Sequence, residues 1–238
     1  YTLRYTTEML LRCAAKRPLQ IELYGDSVMR GLYFDLAELL VERPMDRAWA
    51  KRHAGPGKGK RLEVSREGVS ITWTWWTLNV SSHAATGRWT SWSSSDRDVV
   101  ILFGSAAHNM RYGTVRQYVA SLRALASELQ RLAQPARARM YWLVGAAHHV
   151  HDENLECKAD DKITHRMAFH RSMLFSAAGA EALREVSPLL DMWRPTAGQA
   201  QHCAKVHYDE LYVKEGRGFV SRAIANLLLN GACNTRLQ

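Results

Sequence analysis

A serine hydroxyl attacks an ester only when a base takes its proton and nearby dipoles hold the charge that follows. Ser27 is placed to meet the second condition. It closes Gly25-Asp26-Ser27, a turn between the β-like run Ile21-Glu22-Leu23-Tyr24 and a helical pattern through Met29, Leu32, Leu36, Leu39 and Leu40. A side chain at a helix N-terminus faces unpaired amides and the positive end of the helix dipole. The same tripeptide also serves as an ordinary tight turn in which the serine merely caps the helix. A base decides between the two. His207 is the best candidate, because it lies in the polar loop Gln201-His202-Cys203-Ala204-Lys205-Val206-His207-Tyr208 just before the last apolar helix. Taken alone, any histidine is as readily a surface or core residue with a satisfied hydrogen bond.

The elements that must bring these groups together are written in the apolar periodicity. Asp98-Val99-Val100-Ile101-Leu102-Phe103-Gly104 is an unbroken apolar run closed by glycine, as a parallel strand covered on both faces requires. From Val69 to Val80, Ile71, Trp73 and Trp75 alternate with Ser70, Thr72 and Thr74, the period of a strand. Met140 to Val144, stopped by Gly145, and Val186 to Met192, despite Pro188, read as further strands. Val115, Tyr118, Val119, Leu122, Leu125, Leu129 and Leu132 mark an amphipathic helix. A helix is predicted from about Asp161 to Leu183, and a last one through Val220, Ile224, Leu227 and Leu228.

Strands alternating with helices predict an α/β fold. Residues 1–238 are expected to form one domain, a single doubly wound, mainly parallel sheet flanked by helices in three flavodoxin-like layers. The basic stretch Lys51 to Arg61 reads as a solvated loop, and a Ser/Trp-rich connector follows at 81–95. Ligands bind such sheets beyond the carboxyl ends of the strands. Ser27, the residues after Gly104 and those after Gly145 all fall there.

Composition narrows the function. The chain of 238 residues is 47% hydrophobic and 23% charged, which excludes wholesale disorder. No stretch approaches the roughly 20 uninterrupted apolar residues of a membrane helix. A net charge of +9 speaks to anionic partners rather than to fold. No RNA- or DNA-binding signature accompanies the basic run, so no nucleic-acid partner is expected. The histidines His148, His149, His151, His165 and His170 show no HExxH spacing. The run from His148 to His151 reads as a polar loop over the site, with no metal or cofactor expected. Trp73, Trp75 and Trp76 read as packing residues, and Trp89 and Trp92 as surface groups able to stack on a sugar ring.

The sequence opens at Tyr1 with no cleavable signal, the expectation for a mature chain or excised domain. Cys13, Cys157, Cys203 and Cys233 form no CxxC pair, and four cysteines allow three pairings. Their positions favour Cys13–Cys233, near the two ends, and Cys157–Cys203, in late loop-like segments. Four buried thiols in a reducing compartment are the competing arrangement. Asn79-Val80-Ser81 is a glycosylation acceptor.

Gly25-Asp26-Ser27-Val28-Met29-Arg30 resembles block I of the SGNH/GDSL hydrolases. The nearest likeness is to the PC-esterase branch of trichome-birefringence-like and sialate O-acetyltransferase-type proteins. The run from Asp98 through Gly104-Ser105-Ala106-Ala107-His108 is similar to its middle block. Val206-His207-Tyr208, with the helix ending Leu227-Leu228-Leu229-Asn230-Gly231-Ala232-Cys233, is similar to its closing block. The resemblance runs in order from about Ile21 to Cys233.

It implies that Ser27 attacks an ester carbonyl and His207 takes its proton. The N–H groups of Ser27 and Gly104 would hold the oxyanion, with His108 or Asn109 as a side-chain donor, since the usual asparagine position is Ala106. Asp26 would fix the turn, and Arg30 would support it or a substrate anion. The family's aspartate three residues before the histidine is Ala204 here. Asp191 is then the first choice to orient His207, with Asp209, Glu210 or a backbone carbonyl as alternatives.

The implied function is a serine-dependent acyl esterase or O-acyl(acetyl)transferase, acting on a carbohydrate or glycoconjugate through an acyl-Ser27 intermediate. It would be a monomer without cofactor, in the secretory lumen (Golgi) or outside the cell, and at a membrane only through a tether beyond this sequence. Ala204 favours the alternative of a catalytically inactive, SGNH-fold glycan-binding protein. A basic nucleic-acid-binding protein is the weakest alternative.

Overall fold

The computed structural model describes residues 5–46, 61–77, 96–104, 109–110, 113–133, 138–145, 165–185, 188–191, 193 and 219–234. In chain order they form α1 (Thr7–Ala15), β1 (Leu19–Gly25), α2 (Ser27–Val41), β2 (Arg61–Arg66) and β3 (Val69–Trp75). Then follow β4 (Asp98–Gly104), α3 (Val115–Ala133), β5 (Ala138–Val144), α4 (His165–Leu183), β6 (Leu189–Asp191) and α5 (Phe219–Cys233). The strands make one sheet in the order β2-β3-β1-β4-β5-β6. Only β2 is antiparallel to its neighbour; the other pairs are parallel.

The alternation of side chains across the pleat divides the core in two. Leu19, Ile21 and Leu23 of β1 join Val69, Ile71 and Trp73 of β3 and Val100 and Leu102 of β4 under α1, α2 and α5. On the other face, Tyr24, Val99, Ile101, Phe103, Trp142 and Val144 meet Tyr118, Leu122 and Leu125 of α3 and Phe175 and Leu183 of α4. This is the three-layer α/β arrangement that the periodicity predicts. Leaving β2 aside, the parallel strands run β3-β1-β4-β5-β6. That is the 2-1-3-4-5 order of doubly wound sheets, whose ligands bind at the switch point beside the first strand. Here the switch point lies between the carboxyl ends of β1 and β4.

Four segments depart from the sequence expectations. Helix α1 is additional. Thr6 caps it, its hydroxyl accepting from the Met9 N–H at 3.3 Å, and Leu10 and Ala14 are buried on one face. Strand β2 is also additional: Arg61 does not end a loop but begins this strand. Glu67 and Gly68 connect it to β3 with φ of 46° and 82°, the double left-handed conformation of a two-residue hairpin turn. Strand β3 ends at Trp75 rather than continuing to Val80, and residues 78–80 lie outside the described set. Strand β6 covers Leu189–Asp191, and of the expected span residues 186, 187 and 192 lie outside the described set. Pro188 has no N–H to give, but its carbonyl accepts from the Trp142 N–H at 3.0 Å.

Helix α5 is fixed at its C-terminal end. Arg139 donates to the carbonyls of Gly231 and Ala232 at 2.6 and 3.0 Å, a cation against the negative end of a helix. Cys13 and Cys233 are joined by a disulfide that ties α1 to α5. Among the described residues, no helix is long and apolar enough to cross a membrane.

Candidate active site

Gly25 and Gly104 end their strands side by side in register. A Cβ on Gly25 would lie 2.0 Å from the Gly104 carbonyl oxygen and 2.7 Å from Met29 Cβ. Backbone and the first turn of α2 therefore close on a position only glycine can fill. One on Gly104 would meet Met29 Cε at 2.9 Å and Leu143 Cβ at 3.0 Å. The two glycines let α2 start directly above the switch point. Gly25→Ala is accordingly expected to lower the unfolding free energy by about 3 kcal/mol or more, because a backbone carbonyl and a Cβ, the blocking atoms, cannot rotate away. Urea unfolding measures it, and a wild-type midpoint would mean that the turn can open.

Asp26, not Ser27, is the helix cap. Its backbone is extended (φ −79°, ψ −159°) and its Oδ1 accepts from the Val28 N–H at 3.0 Å, while its carbonyl accepts from the Arg30 N–H at 3.1 Å. The carboxylate is 3% exposed, so it is built into the turn. That disposes of Ser27 as a capping residue. Ser27 is instead the first residue of α2 and is half-buried, with its hydroxyl not required by the helix. The start of a fifteen-residue helix supplies amides and a positive dipole at that point.

Arg30 is buried, with its guanidinium 5.7 Å from the centroid of the Trp73 ring. It braces the first turn of α2 against β3 through a cation–π contact. Trp76 extends the β1–β3 pairing, its N–H donating to the Gly25 carbonyl at 3.1 Å. Its ring sits edge-on to Phe103 at 5.6 Å, and Phe103 stacks on Tyr24 at 5.4 Å. These aromatics are buried beneath the rim, as packing residues are.

After β4, the helical residue Asn109 accepts from the Gly113 N–H on its carbonyl at 2.8 Å and is 1% exposed. Tyr118, the first buried residue of α3, lies under the same corner. Burial and the negative charge of Asp26 push its phenol well above the ordinary value, so it stays protonated. Sequence periodicity places Tyr118 on a core face but gives no sign that it lies near the serine turn.

Asp191 ends β6. Counting from the row Tyr24–Phe103–Trp142–Leu189, it stands two residues further and Ser27 three, so both lie at the carboxyl rim. Three strand spacings, about 14 Å, separate β6 from β1. The Asp191 Oδ1 accepts from the Trp193 N–H at 2.9 Å. His108, Asp209, Glu210, Ala204 and His207 lie outside the described residues, as do Asn79, Trp89, Trp92, Cys157, Cys203 and the histidines at 148–151. Among the described residues, no three His, Cys, Asp or Glu side chains converge as a metal site would need.

No protein-family model and no curated protein matches the sequence. Among solved structures, the chain is similar to a GDSL-like lipase candidate from Parabacteroides merdae, with a TM-score of 0.50 and 12% identity over 91% of this chain and 96% of that one. A mutant acetyl-xylooligosaccharide esterase from Geobacillus aligns over 90% of this chain and 94% of that one, with a TM-score of 0.46 and 11% identity. A GDSL-like lipase from Bacteroides thetaiotaomicron aligns over 98% and 92%, with a TM-score of 0.46 and 9% identity. The first of these likenesses establishes a common fold. The six-stranded, mostly parallel sheet is SGNH-hydrolase-like.

Proposed function

We propose that the chain is a serine-dependent ester hydrolase or O-acyltransferase of the SGNH/GDSL type, in its PC-esterase branch. The observation that carries this reading is the position of Ser27. It is the first helical residue after an aspartate cap, spare in the helix, half-buried, and beside the switch point of a sheet of this fold.

In the proposed reaction the Ser27 hydroxyl attacks the carbonyl carbon of an ester while His207 takes its proton. The N–H groups of Ser27 and Gly104, with His108 or Asn109, receive the oxyanion. His207 then returns the proton to the departing alkoxide, leaving an acyl-Ser27 ester. Water, or a sugar hydroxyl in the transfer direction, attacks that ester with His207 again as base and frees Ser27. Asp26 holds the turn throughout and Arg30 braces it. Asp191, Asp209, Glu210 or a carbonyl orients the imidazole. The substrate we assign is an acylated carbohydrate or glycoconjugate, met by a monomer in the secretory lumen or outside the cell. The Cys13–Cys233 disulfide supports such an oxidising setting.

Ala204 favours a second reading, a glycan-binding protein that kept the fold without the chemistry. In serine proteases, amidating the orienting aspartate costs about 10⁴ in turnover. Covalent labelling separates the two readings. A fluorophosphonate is expected to add its mass to the tryptic peptide containing Ser27 and to no other serine. Protein that stays unlabelled after prolonged exposure while still binding acetylated glycan would establish the silent reading.

A further inference from the structure

One helix, α4, holds backbone that lies beyond the carboxyl ends of both β4 and β5. From α4, Arg171 Nε donates to the Met110 carbonyl at 2.9 Å, and a terminal guanidinium nitrogen donates to the Gly113 carbonyl. Those two carbonyls flank the bond from the Gly113 N–H to the Asn109 carbonyl. Further along α4, Ser176 donates to the carbonyl of Gly145, the first residue after β5, at 3.0 Å. The Arg171 guanidinium also lies 5.3 Å from the centroid of the buried Phe175 ring.

Two features make this a deliberate arrangement in physical terms. Carbonyls at the end of a helical turn carry partial negative charge and attract a cation. A planar fork of N–H donors stacked on a ring can hold two carbonyls in one fixed geometry, whereas an ammonium acts as a point charge.

We propose that Arg171 is a positioning residue for the acyl-transfer site. By tying the Met110 and Gly113 carbonyls to α4, it holds the backbone around Asn109, the candidate oxyanion donor five residues beyond Gly104. It touches no substrate. This inference rests on the serine-esterase reading. Donors aimed at an oxyanion are felt only in the transition state, so loosening the backbone that carries them lowers kcat more than it raises KM.

Arg171→Met keeps a stem of similar length against Phe175 and removes the fork. Its kcat on p-nitrophenyl acetate is expected to fall about 10- to 100-fold, with KM within about twofold. Amide hydrogen exchange in a peptide spanning 109–113 is expected to quicken about tenfold or more, while the β4 peptide stays protected. Added guanidinium should restore much of the rate in Arg171→Ala, and Arg171→Lys should not restore it. Unchanged exchange at 109–113 in Arg171→Met overturns the inference, whatever the wild type's activity. Faster exchange with unchanged kcat overturns it too, because that backbone would then be held for stability alone. Failure of the underlying reading looks different: the wild type itself would show no Ser27-dependent turnover.

Discussion

Ser27→Ala is expected to lower turnover of p-nitrophenyl acetate by about a thousandfold or more while leaving the protein as stable as before. The two halves of that result have separate physical causes. Without the hydroxyl no acyl-enzyme can form, and only the oxyanion donors and substrate binding remain. In the serine-protease template that remainder is worth roughly 10³–10⁴ over water. Stability is spared because the capping bond comes from Asp26 Oδ1 to the Val28 N–H, and alanine is the best helix former at the position after a cap. A change within about 0.5 kcal/mol is what a surface-type substitution gives. Asp26→Ala is the contrasting variant, since it removes a buried cap and costs about 1–2 kcal/mol. Steady-state kinetics with thermal unfolding of both variants makes the check. If Ser27→Ala keeps wild-type turnover at an unchanged midpoint, the serine has no chemical role.

The parts of this architecture that could be read from residues are those where one element states its own environment. The run from Val99 to Phe103 is apolar at every position because β4 is covered on both faces. Tripeptide Gly25-Asp26-Ser27 announces a tight strand-to-helix turn because glycine and a capping acid are both needed there. What could not be read depends on partners distant in sequence. Helix α1 is nine residues long, too short for its period to stand out, and it is held by Tyr5 and Thr7 bonding to Asn226, Asn234 and Leu39. The β2–β3 turn uses Glu67-Gly68 in place of the asparagine-glycine pair that usually marks such hairpins. A strand of three residues after a proline leaves almost no pattern.

The site divides in the same way. Asp26 and Gly104 carry their roles in their local positions. By contrast, nothing local in the sequence shows that Arg30 is buried, with the Trp73 ring of another strand beside its guanidinium. Arg171 and Ser176 show even less in sequence. A helical period tells which face of α4 is buried, not that two of its polar residues bond to backbone segments about 60 and 31 positions away.

Removing the Cys13–Cys233 disulfide should be the largest single loss of stability outside the core. The bond closes a span of 220 residues. In the chain-entropy account, a loop of that size restricts the unfolded ensemble by about 5 kcal/mol. For a domain of this length, each kcal/mol moves the thermal midpoint by about 2–4 °C, so a Cys13→Ser, Cys233→Ser double variant is expected to melt about 10–20 °C lower. The folded state gives the bond little else to hold. Tyr5 already donates from its N–H to Asn226 at 2.9 Å and from its hydroxyl to Asn234 at 3.0 Å, and Thr7 donates to the Leu39 carbonyl at 2.6 Å. These contacts keep α1 on α2 and α5 whether or not the sulfurs are joined. The double variant should therefore keep the activity of the wild type at 25 °C and differ only in its melting. Using the variant rather than a reductant isolates this pair from Cys157 and Cys203. A midpoint within about 2 °C of the wild type would mean that the unfolded chain is restricted by something other than this bond. Normal melting with lost activity would instead tie α1 and α5 to the geometry of the serine rim.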